Sequence, residues 1–183
     1  MAPAIRTGET ALVQRARRGE HDAFAAVVDA RLTGTFRTAL AILGNEADAR
    51  DAAQDTFVAA WRQIGRLRDE DRFEAWLQRV AVNAARMVHR SRRRRGVREI
   101  PSAEVAARVA DVAAPEPADA RALDAALRGL PVEQRAILVL HHVEGRAVAD
   151  LAVILEIPVG TVKSRLHTAR GALQRALDAE RDR

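Results

Sequence analysis

Apolar residues recur along this chain at intervals of three and four, a spacing that predicts helices almost throughout. Phe24, Val27, Val28 and Leu32, then Leu40 and Leu43, mark an amphipathic segment that stops at Gly44-Asn45. A second helix is expected over about 48–64, with Ala53, Phe57, Ala60, Trp61 and Ile64 on one stripe. A third is expected over about 73–92, where Phe73, Trp76, Leu77, Val80, Ala81, Ala84 and Val88 line up. Residues 96–117 hold three prolines and little periodicity, and read as a linker that carries at most a short helical stretch. Helical spacing resumes over 118–179, with breaks at Leu130-Pro131, Glu144-Gly145 and Ile157-Pro158. Alternating runs of β-branched and aromatic residues are absent, so no strand is expected. The predicted class is all-α, with two small helical domains, 20–95 and 118–179, joined by a flexible linker, 96–117. Residues 1–19 are expected to be disordered or to form a short helix.

Composition limits the cores of these domains. Of the 183 residues 48% are hydrophobic, but 39 are Ala, which buries little surface, so each half relies on few large side chains. The chain has no cysteine, which excludes disulfides and thiolate metal sites. No apolar run has the length of a signal or of a membrane span, and a cytoplasmic protein without membrane insertion is expected. Net charge is +5, and 29 of the 30 basic residues are Arg. Residues 1–95 carry 18 basic and 12 acidic groups, against 2 and 4 in 96–117 and 10 and 9 in 118–183. Basic charge is thus gathered in patches, which suits an acidic polymer as partner.

Three polar faces stand out. At ~100° per residue, Asp51, Gln54 and Asp55 fall opposite the apolar stripe of the second helix. This face is either a solvated surface with acids near a helix N-terminus or a docking face for a basic protein. It is no catalytic carboxylate pair, because nothing nearby would desolvate the acids. On the third helix Arg79, Asn83, Arg86 and Arg90 form one line. Between Ala75 and Arg98 there are eight arginines and no acid, ending in Arg92-Arg93-Arg94-Arg95. Such a line suits a helix laid along nucleic acid, with arginines on phosphates and Asn83 on a base edge. The charged loop 65–72 before it could shape a pocket, with Phe73 and Trp76 as stacking platforms, although their stripe favours core packing. The third face belongs to a helix-turn-helix around Pro158. Its second helix has an apolar seam at Val162, Leu166, Ala169, Leu173 and Leu177. Its polar side carries Thr161, Lys163, Ser164, Arg165, His167 and Arg170. From Ile157 to Leu177 there are four Lys or Arg and no acid, as a helix in the major groove requires. His141 and His142, near Glu144, point ~100° apart on a helix and cannot easily share a metal. No nucleophile constellation occurs either, so no metal, cofactor, small-molecule substrate or enzymatic activity is expected.

Together these residues resemble the extracytoplasmic-function group of bacterial sigma-70-type RNA polymerase sigma factors. In the first block the resemblance lies in Asp22-Ala23-Phe24, Asp51-Ala52-Ala53-Gln54-Asp55-Thr56-Phe57, Trp61 and Trp76-Leu77-Gln78-Arg79-Val80-Ala81-Val82-Asn83. In the second it lies in Leu130-Pro131-Val132-Glu133-Gln134-Arg135 and in the run from Ile157 through Gly160-Thr161-Val162-Lys163-Ser164-Arg165 to Leu166. The resemblance implies that 20–95 is sigma region 2 and 118–179 is sigma region 4. It implies that Asp51, Gln54 and Asp55 dock core RNA polymerase at the β′ clamp helices. It implies that Arg79, Asn83, Arg86 and Arg90, with the preceding loop, read the −10 element as its strands part. The helix from Val159 would read duplex DNA at the −35 element, its module's outer surface would meet the polymerase β flap, and the linker would thread toward the active-site and RNA-exit channel. An anti-sigma factor is a further partner that the resemblance admits. Four positions depart from the family pattern: Met87 for Asp, Glu156 for the turn Gly, Thr168 for Arg and Ala149 for an acid. The alternative reading is a helix-turn-helix regulator that binds DNA as a dimer, independently of polymerase. The first block argues against it, having an acidic docking face but no sensor pocket or phospho-acceptor arrangement.

Overall fold

Helix ends in this protein are set by local caps. The structure is a computed structural model and describes residues 3–94 and 117–181. In the first block, α1 (Pro3–Arg17), α2 (His21–Leu43), α3 (Glu46–Gln63) and α4 (Phe73–Arg94) follow one another. Two 3-10 turns, Ile64–Arg66 and Glu70–Arg72, connect α3 to α4. The second block holds α5 (Pro117–Gly129), α6 (Val132–Leu138) with a π-helical turn at Val139–Val143, α7 (Val148–Leu155) and α8 (Val159–Arg181). No strand occurs among the described residues. α2 stops at Gly44, whose φ of 70° lets its N–H return to Leu40 O at 2.8 Å. Asn45 then starts α3 by accepting the Asp48 N–H at 3.0 Å. The Asp150 carboxylate starts α7 by accepting the Ala147 N–H at 3.2 Å. The breaks at Leu130-Pro131, Glu144-Gly145 and Ile157-Pro158 all fall between helical elements. The linker expected over 96–117 lies outside the described residues, except for Pro117, which opens α5.

The segment 1–19, left open between disorder and a short helix, supplies α1. Val13 and Ala16 are buried in one cluster with Ala23, Val27, Phe57, Ile64 and Leu77. The ion pairs Arg31–Glu9 and Arg17–Glu70 fasten α1 to α2 and to the second 3-10 turn.

A second cluster reaches across the two blocks. Thr38 to Leu43 in α2 and Arg135 to Leu140 in α6 and the π-helical turn are buried at every position. A helix that is buried all round needs cover on every side, and these two segments belong to one core with Val82 and Ala85 of α4, Leu151 of α7 and Leu166 of α8. Large side chains of both blocks thus build this core together, whereas the first cluster is drawn from the first block alone. Polar contacts cross the same boundary. Thr38 Oγ1 donates to Glu144 Oε1 at 2.7 Å, Arg146 pairs with Glu74, and Arg79 pairs with Glu156. Arg135 is 2% exposed and aims Nη1 at Leu43 O, 3.4 Å away, at the negative end of α2. Nearby, Asp124 meets Arg128 at 2.6 Å; burial pushes its carboxyl above the usual range, while Arg128 and Arg135 pull it the other way.

Candidate nucleic-acid interface

The cationic helix α8 is held by Val162, Leu166 and Ala169, all buried, so that Lys163, Ser164, Arg165, His167 and Arg170 face outward. Thr161 is half-buried at its first turn, where its carbonyl accepts Ser164 Oγ at 3.0 Å. Arg170 also touches the second block itself, with Nε 3.3 Å from His142 Nε2. Burial, helped by His141 and Arg170, holds the His142 imidazole below its usual value. Beneath α8 the turn closes on Glu156, at φ 53° and ψ 44°, a left-handed conformation that favours Gly.

On α4 the predicted line is split. Asn83 and Arg90 are exposed, whereas Arg79 and Arg86 are half-buried beside the second block. Arg79 is paired with Glu156. The Arg86 Nε is buried without a hydrogen-bond partner among the described residues. Burial lowers the Arg86 pKa, against the pull of Glu133 and with Arg165 and Arg90 adding to the effect. Arg86 and Arg165, one from each predicted DNA-reading face, thus lie within electrostatic reach of one another. Arg92 pairs with Asp48 and so braces α4 on α3, while Arg93 and Arg94 are exposed. Phe73 is buried and Trp76 half-buried, with ring centres 5.8 Å apart. Trp76 lines a cavity of about 530 Å³ with Arg66, Arg68, Arg72 and Arg79. Val153 and Glu156 of the second block complete that cavity. Neither residue was foreseen there, because no helical period links positions so far apart. The available signal was that Glu156 is the one acid between Leu151 and Leu177.

Asp51, Gln54 and Asp55 are all exposed on α3. Of the three, Gln54 lies on the rim of a groove of about 890 Å³ between α2 and α3, whose walls include Phe24, Leu32, Phe57, Val58 and Trp61. Phe24 and Trp61 pack with ring centres 4.9 Å apart, and Leu32 and Val58 are exposed. Among the described residues no cluster of three metal-ligating side chains occurs, and no helix is long and apolar enough to cross a membrane.

The family model described as Sigma-70 region 2 matches residues 28–95, and that described as Sigma-70, region 4 matches residues 120–173. The RNA polymerase sigma-H factor of Pseudomonas aeruginosa is 32% identical over 183 residues, covering 91% of this chain and 92% of its own length. The ECF RNA polymerase sigma factor SigW of Bacillus subtilis is 31% identical over 179 residues, covering 90% and 94%. Among solved structures, the sigma factor RpoE in complex with the anti-sigma factor NepR from Bartonella quintana superposes with a TM-score of 0.63 at 26% identity. That match covers 85% of this chain and 96% of the other.

Proposed function

The chain belongs to the extracytoplasmic-function group of sigma-70-type RNA polymerase sigma factors, and from that premise we propose how its surfaces divide the work. As a sigma factor it binds core polymerase, recognises −10 and −35 promoter elements and promotes strand opening, so the dimeric regulator reading is set aside. Asp51, Gln54 and Asp55 are assigned to the polymerase β′ clamp helices, where their exposed acid and amide groups would meet a basic surface. The neighbouring apolar groove extends that contact. Arg79, Asn83, Arg86 and Arg90 are assigned to the −10 element, with the loop 65–72 holding an unpaired base beside Trp76. Thr161, Lys163, Ser164, Arg165, His167 and Arg170 are assigned to the −35 element in the major groove. The β flap is assigned to the second module, 118–179, and an anti-sigma factor is assigned as a further, inhibitory partner. We assign the chain no catalytic step, and we place its action with polymerase in the cytoplasm.

One observation carries this division. A single chain presents an exposed acid-and-amide face on α3 and an exposed cationic face on α8, in modules that match regions 2 and 4 in order. The two DNA contacts are each modest, and tethering both on polymerase makes them a bivalent reader. The purified chain added to core polymerase is expected to start transcription at a restricted set of promoters. Asp51→Ala combined with Gln54→Ala is expected to weaken association with core by about tenfold while the helical circular-dichroism spectrum stays unchanged. Association equal to that of the parent chain removes these residues from the docking surface.

A further inference from the structure

The arginine-lined cavity before α4 is closed by an acid from the opposite module. Arg66, Arg68, Arg72 and Arg79 line it together with Asp69, which pairs with Arg72 at 3.2 Å, Trp76 forms an aromatic wall, and Val153 and Glu156 of the second module cover it. Glu156 reaches Arg79 as an ion pair across 77 residues of chain. Two further polar links, Arg146–Glu74 and Thr38–Glu144, hold the same pair of modules in this register. Within this arginine-rich wall the Glu156 carboxylate on Arg79 occupies the electrostatic position that a nucleic-acid phosphate would take.

We propose that Glu156 is an internal stand-in for nucleic acid: in the free chain the helix-turn-helix turn seals the −10 cavity, and the cavity opens only when polymerase or DNA parts the modules. This rests on the assignment of Arg79 and the loop 65–72 to the −10 element. The shared apolar core contributes most of the closing free energy, because each fully buried large side chain outweighs a half-exposed ion pair. Glu156 sets the balance and decides which surface is hidden. When the competent form is a minor fraction, apparent affinity falls by that fraction. Weakening the clasp therefore raises affinity for single-stranded DNA even while most molecules stay closed.

The test uses the full chain, which has no cysteine of its own. Asp71→Cys and Val159→Cys, both at exposed positions, carry spin labels for distance measurement. Unlabelled protein is titrated with a single-stranded oligonucleotide bearing the −10 sequence of a promoter mapped with core polymerase. A single short inter-label distance is expected for the free chain, and a longer one on core polymerase. Glu156→Gln is expected to bind the oligonucleotide about twofold to fivefold more tightly than the parent chain. Exchanging the charges with Arg79→Glu and Glu156→Arg re-forms the pair and is expected to leave the parent's short distance unchanged. A broad, long distance in the free parent chain overturns the proposal. So does unchanged affinity in Glu156→Gln when Arg79→Ala still weakens binding. If instead neither Arg79→Ala nor Asn83→Ala affects oligonucleotide binding while the free chain is closed, the −10 assignment fails and the closed form stands.

Discussion

At Glu156 a backbone cost and a side-chain gain meet in one residue. Its left-handed conformation costs about 1 kcal/mol or more for any side chain with a β-carbon. The turn needs that conformation, because it returns the Glu156 N–H to Ala152 O and brings the Ile157 N–H to the same carbonyl at 3.1 Å. The ion pair with Arg79 has partners 67% and 32% exposed, so solvent limits it to less than about 1 kcal/mol. The two effects can be separated. Glu156→Gln loses the charge and keeps the strain, whereas Glu156→Gly loses both. Glu156→Gly is expected to be more stable than Glu156→Gln by about 1 kcal/mol, raising the melting temperature by about 2–4 °C in parallel thermal melts. Equal melting of the two variants would show that the turn stores no strain.

At the scale of elements, seams set by the 3.6-residue period were legible, and with them α2, α3, α4 and α8 and their outward faces. Caps such as Gly44 and the prolines after Leu130 and Ile157 marked the ends. The shared core was harder to read. Thr38 to Leu43 and Arg135 to Leu140 show as almost unbroken apolar stretches, which announce burial on all sides but do not identify the covering partner. α1 is hard to read from sequence because its apolar positions are few and its packing rests on Val13 and Ala16. The half-burial of Arg79 and Arg86 follows from the same contact and could not be read from α4 alone. α8 is different, because Lys163, Arg165, His167 and Arg170 are exposed on it and can be tested directly. Binding of the −35 duplex should weaken with rising salt, and Lys163→Ala or Arg165→Ala should each lower the slope of log affinity against log salt by about one. Slopes equal to the parent's would place those cations off the phosphate backbone.

For the whole molecule, the consequence of two readers on one chain is conditional. Once polymerase holds both modules, the −35 contact acts by raising the local concentration of the −10 reader at its site. Its loss should therefore matter only on templates that offer a −35 element. Strand opening, followed by the reactivity of unpaired thymines, is the measurement that separates the two roles. On an intact promoter Arg165→Ala is expected to reduce opening by about tenfold, the loss of one good contact. On the same template with the −35 sequence scrambled, the reduction should shrink to less than about twofold, because the tether has nothing left to hold. Asn83→Ala should reduce opening on both templates by a similar factor, since its amide is assigned to a base at the point where the strands part. An Arg165→Ala defect of equal size on both templates would remove Arg165 from the −35 contact. An Asn83→Ala defect confined to the intact promoter would move Asn83 from strand opening to upstream anchoring.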